Sequence, residues 1–203
     1  MFISHRYGAA RRLGEVVRSH LIMSGLAWAS LDFAIAPAAR AAEPAPPAPV
    51  QPVAASADDP LRGTMLAMHN ATRARVGVPP LAWDATLAGA ARSYAEDMAR
   101  TDVFRHSPPS MRRGQGENLW VGSRGAYDYA AMATAWTDEA RLFVNQPTPM
   151  FSITGHWQDV GHYSQIVWRS TTALGCAMAS SPSFDYVVCR YGPAGNVIGR
   201  TAF

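Results

Sequence analysis

Gly161-His162-Tyr163-Ser164-Gln165-Ile166-Val167-Trp168 is the stretch on which the fold of this chain turns. It crowds β-branched and aromatic residues behind a glycine, and that density predicts a buried strand with a histidine at its entrance. His162 and Gln165 need partners there, because an unpaired buried polar group costs about 1–3 kcal/mol. The rest of the chain must supply them.

Downstream, Thr172 to Ala179 and Phe184 to Tyr191 flank the turn-forming Ser180-Ser181-Pro182-Ser183, which predicts an antiparallel hairpin. The chain's two cysteines, Cys176 and Cys189, lie symmetrically about that turn, so the hairpin brings them together. A bridge there closes a loop of about fourteen residues and contributes up to roughly 3 kcal/mol in the chain-entropy picture. The alternative is a pair of buried thiols. Pro193-Ala194-Gly195-Asn196 reads as a turn before the end.

Upstream, a helix is predicted from about Ala126 to Asn145. Met132, Trp136, Glu139 and Phe143 stand at i, i+4, i+7 and i+11 in it, which puts Glu139 on the apolar stripe while Asp138 points away. A carboxylate so placed faces a cation, a metal or a hydrogen-bond donor, or else reaches water from the edge of the stripe. Gln146 to Asp159 is a looser segment, with His156 and Trp157 as loop residues. Further back, Arg105-His106-Ser107-Pro108-Pro109 and Gly114-Gln115-Gly116-Glu117-Asn118-Leu119-Trp120 read as irregular chain punctuated by glycine and proline. Sites on rigid scaffolds tend to lie in such segments. Taken alone, His106 and Glu117 are equally readable as surface residues.

Two helices come before these segments. Asp58 and Asp59 supply N-cap acids, and Pro60 a first-turn proline, for a helix with Leu61, Met65, Met68, Thr72 and Val76 on one stripe, ending at Gly77. His69, Asn70 and Arg73 fall beside that stripe, and His69 is read as a hydrogen-bonded helix histidine in preference to a ligand. Asp84 caps the second helix, whose Leu87, Ala91, Tyr94, Ala95 and Met98 share a face. Helices come first and most strands last, which predicts an α+β layered domain.

The N-terminal region has a different composition. Arg6, Arg11, Arg12 and Arg18 precede an apolar run from Leu21 to Leu31, and Ala39-Arg40-Ala41 fits a small-x-small cleavage site, so residues 1–42 read as an export signal. Asp32 interrupts the run, and Leu21–Ala36 falls short of the roughly 20 residues that span a bilayer, so no stable membrane span is expected after cleavage. Arg11-Arg12 is followed by Leu13-Gly14-Glu15, a poor twin-arginine continuation. Residues 43–58, rich in proline and alanine, read as an extended linker, and 59–203 as the folded domain. Export to a secreted or periplasmic location favours the disulfide over free thiols. Five of the eighteen arginines lie in the first 42 residues, and from Glu43 onward thirteen arginines meet thirteen acids. A formally neutral domain lacks the footprint of a nucleic-acid binder. Lysine is absent, which removes Schiff-base chemistry.

Seven motifs in order now bear on the family: HNATRARVGVPPLAWD at 69–84, RHS at 105–107, GENLW at 116–120, WTDE at 136–139, GHYSQIVW at 161–168, LGC at 174–176 and VVCRYGPAGNVIG at 187–199. Together they resemble the CAP superfamily of cysteine-rich secretory proteins, venom allergens and plant pathogenesis-related proteins, here as an exported bacterial member. The resemblance implies a three-layer α-β-α sandwich with an open cleft lined by His106, Glu117, Glu139 and His162. The chain departs from the pattern in carrying only the C-terminal cysteine pair, in Ser164 where threonine is commoner, and in a longer segment at 145–160.

Two imidazoles and two carboxylates suit three roles. Neutral His106 and His162 would hold Zn2+ or another divalent metal, with the glutamates fixing their tautomers. The glutamates would alternatively tune the histidines for acid–base work with Ser164 as nucleophile, although no nucleophile elbow or HExxH accompanies them. The cluster would otherwise hold helices and sheet in register. The first reading, a non-enzymatic exported binding module for a divalent metal and for a lipid, sterol or other extracellular ligand, is preferred to a protease-like hydrolase or a purely structural domain.

Overall fold

Helix α1 (Pro60–Arg75) starts where the sequence places it: the Asp59 carboxylate accepts the Leu61 N–H at 3.0 Å, and Gly77 leaves the helix at a φ of +68°. The computed structural model describes residues 59–203, so the export signal and linker expected over 1–58 lie outside the described residues. Strand β1 (Ala82–Trp83) and helix α2 (Ala85–Thr101) follow, with Asp84 accepting the Thr86 and Leu87 N–H groups. Next come β2 (Gly116–Ser123), α3 (Tyr129–Thr137), a 3-10 turn over Asp138–Leu142, α4 (Gly161–Ile166), β3 (Ala173–Ser180) and β4 (Phe184–Gly192).

The strands form one sheet in the order β1-β3-β4-β2, antiparallel except for the short β1–β3 pair. Alternate residues serve opposite faces. Leu119, Ala177, Tyr186 and Val188 pack against the predicted face of α2, with Ala91, Tyr94, Ala95 and Met98. Leu174, Cys176, Val187, Cys189 and Tyr191 pack on the other side against α1, α3 and α4 through Met65, Met132, Trp136 and Ile166. This is the expected α-β-α sandwich. Gly175 sets the closeness of its first two layers, since a Cβ there would lie 2.2 Å from the Ala88 nitrogen. Cys176 and Cys189 face each other across β3 and β4 and are joined.

Four local expectations change. The 161–168 stretch is helix α4 and the turn after it, not a strand. Residues 163–168 are buried without alternation, and periodicity cannot tell such a run from a buried helix. Gly116–Ser123 is strand β2, not irregular chain, because it pairs along its whole length with β4. The helix expected over 126–145 is regular only through Thr137 and tightens into the 3-10 turn that carries Glu139. The inward face of α1 is Leu61, Met65, His69, Thr72 and Arg73, so polar residues expected beside the stripe lie on it.

Both buried polar residues of α1 are satisfied. Arg73 donates to the carbonyls of Pro79 (2.6 Å), Ile166 and Trp168 (2.8 Å each) and Thr171 (3.0 Å), and burial together with nearby Arg169 pushes its pKa down to about 10. His69 lies 2.7 Å from the Met65 carbonyl through Nδ1 and 2.8 Å from the Tyr191 hydroxyl through Nε2. A carbonyl only accepts, so Nδ1 carries the proton and Nε2 accepts from Tyr191. Burial, with Arg73 nearby, pushes the His69 pKa from 6.5 down to about 4, against the opposing effect of its bond to Met65. Between those values the unfolded chain binds a proton that the native one refuses, so stability falls as pH drops from about 6.5 toward 4. The slope from this group is about 1.4 kcal/mol per pH unit, about 3 kcal/mol in all. Denaturant titrations between pH 5 and 6.5 should show that His69→Gln loses this slope.

Candidate functional site

The sheet and its two helical layers bring the four candidate residues together as two imidazole–carboxylate pairs. Glu117 lies on β2 and points to the α2 side, where its carboxylate accepts from His106 Nδ1 at 2.7 Å, the Ser107 N–H at 3.0 Å, the Ser107 hydroxyl at 2.8 Å and Arg190 Nη2 at 3.0 Å. The Glu117 and Arg190 side chains are 0% and 1% exposed. They sit opposite each other on β2 and β4, with the guanidinium 5.6 Å from the Tyr94 ring centre. Burial alone would push the Glu117 carboxyl up, but His106, the Ser107 hydroxyl, Arg190 and the Ser107 N–H overcome it and hold the carboxyl below its ordinary value. Arg190 Nε and Nη1 have no hydrogen-bond partner, so Glu117 is its one anionic contact among the described residues.

The second pair is built on the opposite layer. Glu139 accepts His162 Nδ1 at 2.6 Å and the N–H groups of His162 and Tyr163 at 3.0 and 2.9 Å. The first turn of α4 has no side-chain cap of its own, and Glu139 supplies one from the neighbouring turn. That capping answers what a carboxylate does on an apolar stripe, and it also explains why a stretch with strand composition becomes helix. Trp136 stacks on the His162 ring at 5.9 Å and donates to the Leu119 carbonyl, fixing the imidazole from below.

His106, Glu117 and His162 line one open cavity of about 470 Å³. Glu139 does not reach it and acts from behind His162. Each histidine engages its carboxylate through Nδ1, and neither Nε2 has a hydrogen-bond partner among the described residues. The His106 and His162 side chains are 56% and 31% exposed. Arg112, Gln115, Asn118, Gln158 and Asn196 also line the cavity, none of which the sequence marked as site residues. Trp157, expected as a mere loop residue, forms part of the wall. Gln165 accepts from the Gly195 N–H and donates to the Thr171 hydroxyl, and a Cβ on Gly116 would lie 2.0 Å from its Oε1. Ser164, the candidate nucleophile, is fully buried, donates its one hydroxyl proton to Asn196 Oδ1 at 2.6 Å with Gly161 O at 3.1 Å, and does not line the cavity, which removes it from that role.

The donor set suits a weakly held divalent ion: in their neutral form two imidazoles whose Nδ1 atoms face carboxylates would each offer an Nε2 lone pair. No group of three or more His, Cys, Asp or Glu gathers as a metal centre among the described residues, so from these residues the two imidazoles would be the ligands and water or ligand atoms would complete the shell.

A three-layer sandwich presenting two carboxylate-anchored imidazoles to one open cavity defines a histidine-cleft domain. The chain belongs to the CAP family, the Cysteine-rich secretory protein family, whose family model matches residues 66–191. It is 36% identical over 140 residues to Pathogenesis-related protein 1C of Nicotiana tabacum, covering 68% of this chain and 78% of that protein. It is 35% identical over 152 residues to the Golgi-associated plant pathogenesis-related protein 1 of Homo sapiens, covering 73% and 92%. Among solved structures, the crystal structure of NaASP2 with Zn2+ superposes with a TM-score of 0.61 at 31% identity, covering 71% of this chain and 85% of that one.

Proposed function

We propose that this chain is an exported CAP-domain binding module whose cleft takes a divalent metal through Nε2 of His106 and His162. The observation that carries the reading is the paired use of Nδ1: two buried-side carboxylates hold the rings so that both free nitrogens belong to residues lining the same cavity. The similarity to a structure described with Zn2+ supports zinc as the ion to try. Export is supported by the basic–apolar N-terminus and by membership of a secretory family. No helix of the described residues is long and apolar enough to cross a membrane. Amide and charged side chains line the cavity together with Trp157 and Ala194, and more of its accessible surface is apolar than polar, so a lipid or sterol is a ligand to try beside the metal.

Isothermal titration of zinc into the purified chain tests this reading. Binding heat is expected for the wild type and not for His106→Ala or His162→Ala. Glu139→Gln, which keeps an acceptor but loses the charge behind His162, should bind about 10–100-fold more weakly. Heat that survives both histidine substitutions would sink the assignment. The hydrolase alternative has lost its nucleophile with the burial of Ser164.

A further inference from the structure

Strand β2 is an edge of the sheet, with β4 on one side and no strand on the other. In an antiparallel pair, alternate residues aim both main-chain groups at the neighbour or away from it. The register identifies which residues do which. Cys176 and Cys189 stand directly opposite with Cα atoms 4.1 Å apart, the close spacing of a pair that is not hydrogen-bonded to each other. The main chain of Cys189 therefore points at β2, where it meets Asn118. Gly116, Asn118 and Trp120 are bonded to β4, and Glu117, Leu119 and Val121 aim their N–H and C=O off the sheet. A separate contact agrees, since the Leu119 carbonyl accepts from Trp136 Nε1 at 3.1 Å on that outer side.

That indole covers the edge at Leu119. One residue pair earlier the edge is bare: Gly116, Glu117 and Asn118 line the cavity, what exposure Glu117 has is main-chain, its side chain being fully buried, and no hydrogen bond from the described residues reaches its outward main chain. The amide side chains of Gln115 and Gln158 line the same cavity, and Gln115 Oε1 is buried with no hydrogen-bond partner among the described residues. A main-chain donor and acceptor flanked by amides complement another main chain.

We propose that the cleft takes an extended polypeptide segment that adds to the free edge of β2 through main-chain hydrogen bonds to Glu117. Successive side chains of an added strand fall on opposite faces of the sheet. One residue of the segment then lies on the His106 side and the next on the His162 side, because His106 bonds Glu117 on the α2 face of the sheet and His162 belongs to α4 on the other. The proposal rests on the cavity being a binding site and does not require the metal.

The full chain carries five glutamates, Glu15, Glu43, Glu96, Glu117 and Glu139, so selective 15N-glutamate labelling gives a simple amide spectrum in which a Glu117→Gln spectrum assigns one peak. The probe is a pool of acetylated, amidated random hexapeptides, with the tightest binder resynthesised carrying a single N-methyl group at each position in turn. The Glu117 amide should shift on binding, and N-methylation at an alternating subset of positions should weaken binding about tenfold each. No binding by any pool at millimolar concentration overturns the proposal. Binding that leaves the Glu117 amide in place, or that is indifferent to N-methylation, overturns it equally. A Glu117 shift produced only by raising the protein concentration, with dimerisation seen in sedimentation, assigns the edge to a second copy and overturns it too. Zinc titration of the same sample separates the two readings: zinc heat without peptide binding removes the peptide alone, and peptide binding without zinc heat removes the metal alone.

Discussion

Glu117→Ala is expected to destabilise the domain by about 3–5 kcal/mol, because it leaves Arg190 buried with its one carboxylate partner gone. The loss should appear as a fall in the unfolding midpoint on the order of 10 °C. Two further consequences are separable from it. His106 and Ser107 lose the acceptor that holds the 105–107 segment against β2, so zinc affinity falls with stability. Replacing the whole pair, Glu117→Leu with Arg190→Met, should recover most of the stability, since hydrophobic substitutes of similar volume often equal a buried ion pair. It should not recover zinc binding, because His106 still lacks its carboxylate. A double substitution as unstable as Glu117→Ala would show that the pair matters for packing and not for charge compensation.

Arg73→Met is the second large effect, with an expected loss of at least about 3 kcal/mol measured by denaturant midpoint. The guanidinium bonds four carbonyls, two of them at the end of α4 and just beyond it, at Ile166 and Trp168. Removing it strands these acceptors in the interior, where each unmet group costs about 1–3 kcal/mol. Arg73→Lys should rescue only part, because an ammonium has three donors and no planar fork to reach Pro79, Ile166, Trp168 and Thr171 together. A methionine variant within about 1 kcal/mol of wild type would contradict this account.

Much of this was legible in the amino-acid order. The cap at Asp84, the inner face of α2 and the cysteine pairing follow from local chemistry and symmetry, and the structure has each of them. Glu139 was visible as a carboxylate in an apolar stripe, an anomaly that local sequence poses and only tertiary structure resolves. The errors share that origin. Residues 161–166 have strand composition, but a carboxylate 23 positions earlier in the chain collects their first free N–H groups and makes a helix the better solution. β2 reads as loop because Gly116, Glu117 and Asn118 are poor strand formers, and its stability comes from β4, some 70 residues away. Arg73 and His69 read as bystanders because a helical wheel sorts residues by polarity, whereas burial here depends on carbonyls and a hydroxyl contributed from elsewhere. Arg112, Gln115 and Gln158 carry no periodic or motif signal, Asn196 sits in a motif that gives it no role, and their shared cavity is a product of the fold alone.

The covalent link between β3 and β4 has its sulfur-bearing residues sealed between sheet and helices, Cys176 at 3% and Cys189 at 0% exposure. A reducing agent added to the folded protein therefore finds nothing to attack until the layers part. How fast thiols appear in excess reductant then measures how often the sandwich opens, which makes the crosslink an internal clock for the lifetime of the native state.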